Sequence, residues 1–131
     1  MAGYASTPQA RKLGLKPGTR YAAIAAPKGW RLDDPPPLES ATAGADVLLH
    51  FVGAAAEIEG ALEDAAPRIF PDGALWVAWP RKAGGHVSDV TENDIRNAAL
   101  QRGLVDVKVA AIDDDWSGLK IVWRKENRKR S

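Results

Sequence analysis

The stretch Pro71-Asp72-Gly73-Ala74-Leu75-Trp76-Val77-Ala78-Trp79-Pro80-Arg81-Lys82 limits what this chain can fold into more than any other. Its first three residues signal a turn: proline fixes φ, aspartate bonds its own backbone, and glycine supplies a positive φ. The run Ala74–Trp79 is short, apolar and rich in strand formers, which suits a central strand covered on both faces. Pro80 cannot donate to a ladder, so the strand ends there, and Arg81 and Lys82 leave the sheet as a pair of cations.

The remaining chain supplies partners for this strand. Met1–Ser6 is expected to be a loose terminus. Thr7 and Pro8 read as the cap and first residue of a short helix, Pro8–Leu13, stopped by Gly14. After a turn at Lys16-Pro17-Gly18, Arg20–Ala26 forms the first strand and Pro27 closes it. A helical turn at Trp30-Arg31-Leu32, extended chain at Pro35-Pro36-Pro37 and an edge strand within Leu38–Thr42 follow. Asp46–Val52 is a second buried strand. From Gly53, Ala54, Ile58, Ala61, Leu62 and Ala65 recur at helical spacing, and Pro67 is expected to end that helix. Arg81–Val90, with Gly84-Gly85, reads as a polar, mobile loop. Thr91-Glu92-Asn93-Asp94 matches a capping box, opening a helix through Ile95, Ala98, Ala99 and Arg102 that Gly103 stops. Leu104–Ile112 alternates around Val105, Val107 and Val109, Asp113–Ser117 is an acidic turn, and Gly118–Trp123 is the last strand. Trp76 and Trp123 are expected in the core.

This alternation predicts one α/β domain over residues 1–131: a three-layer sandwich with a mainly parallel sheet. The link between the last two strands is too short for a parallel crossover, so the C-terminal strand is antiparallel. Composition narrows function chiefly by exclusion. The chain has no cysteine, which removes disulfides, thiolate catalysis and Cys-based metal sites. A formal net charge of +1 provides no global field to attract nucleic acid or an anionic membrane. No apolar run approaches the ~20 residues of a membrane span, and the N-terminus lacks a signal peptide's apolar core. A cytoplasmic protein is therefore expected.

The order strand, helix, Pro-Asp-Gly strand, helix and terminal antiparallel pair resembles the C-terminal half of the class I methyltransferase fold, and Lys16-Pro17-Gly18-Thr19-Arg20 with the next strand looks like its opening strand. Such enzymes follow that strand with a Gly-x-Gly loop that lets backbone approach S-adenosylmethionine. Here the segment reads Ala25-Ala26-Pro27-Lys28-Gly29-Trp30, so no cofactor is expected. A further resemblance covers nearly the whole chain. Leu13-Gly14-Leu15-Lys16-Pro17-Gly18, Pro71–Val77, Trp79-Pro80-Arg81-Lys82, Gly103-Leu104-Val105-Asp106-Val107-Lys108 and Trp116-Ser117-Gly118-Leu119-Lys120 are similar to the bacterial domain-of-unknown-function 3052 family. That resemblance implies a Rossmann-like fold and no mechanism.

In open α/β sheets ligands bind outside the carboxyl ends of the strands. That rule gathers Lys28, Trp79, Arg81, Lys82, Asp115, Trp116 and Ser117 as candidate ligand-binding residues, with aromatic walls, cations and a carboxylate suited to a planar or anionic ligand. The competing account is that both tryptophans cap the core and the charges are simply solvated. Lys82 and Asp115 are placed to pair across the gap; if exposed, that pair contributes only about 0–1 kcal/mol. No catalytic or metal residues are expected. His50 reads as a core histidine bonded to backbone, and His86 as an exposed loop residue. Ser117 lacks a Gly-x-Ser-x-Gly setting, and Asp113-Asp114-Asp115 reads as a solvated turn. The tail Arg124–Ser131 is polar and basic without an adjoining aromatic platform, so nucleic acid is not expected as a partner. These features lead to a non-enzymatic domain that binds an unknown small molecule or protein. The alternative is a minimal methyltransferase-like enzyme acting at the same edge.

Overall fold

The computed structural model describes residues 8–41 and 44–128. The terminus expected at Met1–Ser6, the cap at Thr7, the end of the edge strand at Thr42 and the last residues of the tail, 129–131, lie outside the described residues. Strands β1 (Arg20–Ile24), β2 (Glu39–Ser40), β3 (Val47–Phe51), β4 (Ala74–Pro80), β5 (Leu104–Ala111) and β6 (Trp116–Trp123) alternate with helices α1 (Gln9–Leu13), α2 (Ile58–Ile69) and α3 (Glu92–Gln101). All six strands form one sheet in the order β2-β1-β3-β4-β6-β5. β1, β2, β3 and β4 run parallel, and β6 is antiparallel to its neighbours β4 and β5. The fold is therefore α/β and Rossmann-like, with the mainly parallel sheet and antiparallel C-terminal strand that the sequence predicts.

β4 lies between β3 and β6, and Ala74–Ala78 are buried along their whole length. One face of the sheet packs under α2 and α3, through Ile58, Leu62, Ile69, Ile95 and Ala99 against Leu48, Leu75, Val77, Leu119 and Ile121. The other face is covered by α1 and the irregular segment around Trp30, Leu32 and Leu38, over Val47, Leu49, Phe51 and Trp76. Trp76 is fully buried there and donates its indole N–H to the Leu13 carbonyl at 3.3 Å. Trp123 faces the helical side, half-buried, and donates to the Ala66 carbonyl at 2.9 Å. Thr91 caps α3 by accepting from the Asp94 amide at 3.1 Å, and Gly14 and Gly103 take the left-handed conformations that end α1 and the turn after α3.

Several expectations are corrected. Gly73 does not adopt a positive φ; its role is close approach, since a Cβ there would lie 2.4 Å from the Ala45 carbonyl oxygen and 2.9 Å from that of Ile69. Pro67 does not end the helix, which runs on to Ile69. The only bond that proline removes is the one to the carbonyl of Glu63, an exposed residue. Trp30-Arg31-Leu32 forms no helical turn. β6 starts at Trp116, two residues before the expected Gly118. Finally, a bulge between Asp106 and Lys108 breaks the alternation of β5, leaving Val107 and Val109 exposed. Past the bulge Lys108 faces Lys120, and burial, then Lys108, holds the Lys120 amine below the ordinary lysine range.

At the amino end of the sheet, Asp46 accepts from the Arg20 amide at 2.9 Å and from its guanidinium at 2.9 and 3.3 Å. The Arg20 side chain, then its amide, holds the Asp46 carboxyl below the usual value of 3.8. A group with a depressed folded pKa contributes stability above its unfolded pKa and loses it as pH falls through the folded one. Both side chains are about half exposed, so the effect is small. Unfolding measured from pH 2 to 6 should show a shallower acid loss in Asp46→Asn than in the parent. Identical pH slopes would remove this pair from the stability argument.

Candidate functional site

β1, β3 and β4 end at one edge of the sheet, where antiparallel β6 begins. The β4–β6 ladder continues to that edge: Trp79 pairs with Ser117, Pro80 with Trp116, and the Arg81 amide donates to the Asp115 carbonyl at 2.8 Å. The two segments thus meet as paired strands rather than across an open gap. A groove of about 350 Å³ lies beside this seam, bounded by the start of α3 and lined by Trp79, Arg81, Lys82, Ser88, Thr91 and Ser117.

Most polar groups of the groove are committed to the fold. The Arg81 guanidinium donates to the Asp113 carbonyl at 3.1 Å. The Ser88 hydroxyl donates to the Gly53 carbonyl at 2.9 Å and accepts from Val90 at 3.2 Å. Thr91 is the helix cap, and Glu92 pairs with Arg96. The Lys82 amine and the Ser117 hydroxyl have no hydrogen-bond or ion-pair partner among the described residues. Trp79 is half-buried and packs against the helical core.

The other predicted site residues are placed elsewhere. Successive strand residues point to opposite faces, so pairing Ser117 into the ladder turns Trp116 away. It packs edge-on against Phe51, with centroids 4.9 Å apart, and Phe51 meets Trp30 at the same distance. Asp115 lies at 3.0 Å from His86 rather than pairing with Lys82. The loop carrying His86 is packed closely here, since a Cβ on Gly84 would lie 2.8 Å from the Asp114 carbonyl oxygen. Lys28 is exposed on the loop after β1, with β3 between that strand and β4. His50 is half-buried, its ring 3.2 Å from the Phe51 carbonyl.

Ser88 and Thr91 were not among the candidates, because their contribution depends on the fold of residues 53–57 onto the loop before α3. Trp30 was also missed. Its indole donates to Asp113 at 2.9 Å, and the same carboxylate accepts from the Asp115 and Trp116 amides at 2.8 and 2.9 Å. A bulky residue after the first strand is thus built into the carboxyl edge. Among the described residues no cluster of three or more His, Asp or Glu is placed to hold a metal ion, and no helix is long and apolar enough to cross a membrane.

Solved structures share this fold at low identity. A Rossmann-superfamily protein from Streptococcus agalactiae is 8% identical, with a TM-score of 0.52 over 90% of this chain and 68% of that one. A LepI variant in complex with SAH and a substrate analogue is 12% identical, with a TM-score of 0.53 over 93% of this chain and 40% of that one. A magnesium protoporphyrin IX methyltransferase from Synechocystis PCC 6803, solved with bound SAM, is 14% identical, with a TM-score of 0.48 over 70% of this chain; the match spans 47% of the enzyme's length. At these identities the first two likenesses show the fold alone. A search of the curated proteins finds no match. The model of a family described as a protein of unknown function, DUF3052, matches residues 38–125, most of the sheet and both long helices, and the chain belongs to that family.

Proposed function

We propose that this chain is a non-enzymatic binding domain whose site is the groove at the carboxyl edge, beside the β4–β6 seam. The observation that carries the reading is the division of labour among its polar groups. Arg81, Ser88, Thr91 and Glu92 serve the fold, whereas Lys82 and Ser117 keep an amine and a hydroxyl without internal partners beside Trp79. A planar molecule with one anionic group meets that chemistry: the ring lies against the indole, the charge meets the ammonium, and Ser117 adds a hydrogen bond. Lys28, Asp115 and Trp116 are not part of this site.

Catalysis by Ser117 needs a base within hydrogen-bond reach; the nearby loop histidine, His86, is held by Asp115 instead. A methyltransferase-like enzyme at the same edge remains the second reading, favoured by the fold it shares with the SAH-bound LepI variant. Against it stands Trp30, whose indole is built into the edge at the position where a cofactor-binding loop needs small residues.

Native mass spectrometry of the protein purified from its own cells tests the proposal. A co-purifying anionic small molecule is expected, with occupancy reduced by about tenfold or more in Lys82→Ala, the order for loss of one charge-assisted contact. Methyl transfer from S-adenosylmethionine that disappears in Lys82→Ala would replace the binding-domain reading by the enzymatic one.

A further inference from the structure

The α1 side of the sheet carries two amines that the fold does not use. On β6, Lys120 pairs with Trp76 of β4 on one side and with Lys108 of β5 on the other. Paired residues share a face, so both lysines stand on the face where Trp76 lies. The Lys108 ammonium is 5.9 Å from the centre of the Trp76 ring. Val105 and Val122 are opposite each other in the same ladder, half-buried, and flank the lysines on that face. Helices α2 and α3 cover the other face. Two cations thus rise from a base made of an indole and two valines.

Like charges directly opposite each other destabilise a sheet. Neither lysine has an ion-pair or hydrogen-bond partner among the described residues to relieve this. Lys108 is exposed and Lys120 half-buried. The Lys120 amine is not closed off by protein, since the Tyr21 hydroxyl is the one buried, unpaired polar side-chain group among the described residues. Burial and the facing ammonium both favour its neutral form. A lysine on an apolar base beside a second cation is the setting in which the amine acts as a nucleophile toward carbonyl groups. Opposed residues hold their Cβ atoms about 5 Å apart, so one small molecule reaches both amines.

We infer that Lys120 captures small 2-oxo acids as a Schiff base, with Lys108 holding the carboxylate. The lone pair of the Lys120 nitrogen forms the bond to the carbonyl carbon, and the π pair of the C=O bond moves to oxygen. That oxygen leaves as water with the two amine protons, and a C=N bond remains. The adjoining carboxylate meets the Lys108 ammonium, so an anion comes to stand where two cations had faced each other. The step is a condensation and needs no oxidant or reductant. The site is independent of the Lys82 groove, and its failure would leave that reading untouched.

The probe is glyoxylate, offered to the full chain at neutral pH with cyanoborohydride. The hydride reduces the imine to a stable carboxymethyl amine, which peptide mass spectrometry locates. Lys120 should be modified ahead of Lys28, an exposed lysine on a loop. Propanal, an aldehyde without a carboxylate, should show a smaller preference for Lys120. Lys108→Met removes a repulsion, so it keeps the fold, and it should lower the modification of Lys120 by about tenfold, the order for one charge-assisted contact. Lys108→Arg keeps the cation and should react as the parent does. Modification of Lys120 no faster than of Lys28, an equal preference with propanal, or an unchanged yield in Lys108→Met overturns the proposal. The two lysines would then only shelter Trp76 with their stems.

Discussion

Replacing Trp76 by alanine is expected to lower the unfolding free energy by about 3–5 kcal/mol, a large share of the about 5–15 kcal/mol typical of a domain. The ring is fully buried at the centre of the sheet. It also holds elements beside its own strand. Its N–H holds the Leu13 carbonyl, and with it the end of α1. Its edge lies 3.0 Å from where a Cβ on Gly118 would project, so β6 has a glycine where it passes the ring. Alanine leaves a void bordered by β-strand backbone, which does not collapse easily. Urea unfolding should show a lower midpoint with little change in slope. A loss below about 1 kcal/mol would mean that the ring is not the packing centre described here.

Gly73→Ala should be the next largest effect, toward the upper end of the about 1–3 kcal/mol that overpacking costs. The new methyl group would meet main-chain oxygens of Ala45 and Ile69, which cannot rotate aside as a side chain would. Those oxygens belong to the junction where α2 hands the chain to β4: Gly73 donates to Ile69 at 2.7 Å and Ala74 to Asp46 at 2.9 Å. Moving them shifts the entry of β4 against β3. If Gly73→Ala unfolded at the parent's midpoint, the close approach would not be a constraint in solution.

What could be read from the sequence was what is encoded locally. The Val47–Phe51 and Ala74–Pro80 strands announce themselves by apolar runs, and α3 by a capping box whose bond is observed. Gly14 and Gly103 stop helical segments as expected because only backbone conformation is at stake. What could not be read was set by residues far away in the chain. Trp30 has no local signal, since its partner Asp113 lies 83 positions on. Pro67 looks like a helix stop, yet tertiary packing of Ala65, Ala66 and Ile69 carries the helix past it. Read as a turn, Asp113–Ser117 brings Trp116 and Ser117 to one site; a strand separates them to opposite faces. The bulge in β5 has no signature in Leu104–Ala111, and past it Val109 changes face relative to Val105.

That bulge also bears on how the chain behaves at high concentration. β5 is the outermost strand on its side of the sheet, and an unbroken outer strand is a template on which further copies stack into insoluble material. Here the extra residue divides the row of amides and carbonyls into Leu104–Asp106 and Lys108–Ala111. A copy laid alongside loses register after a few residues, and the Lys108 ammonium adds repulsion between like chains. One inserted valine, costly to regular pairing, thereby makes this edge a poorer template for a further copy.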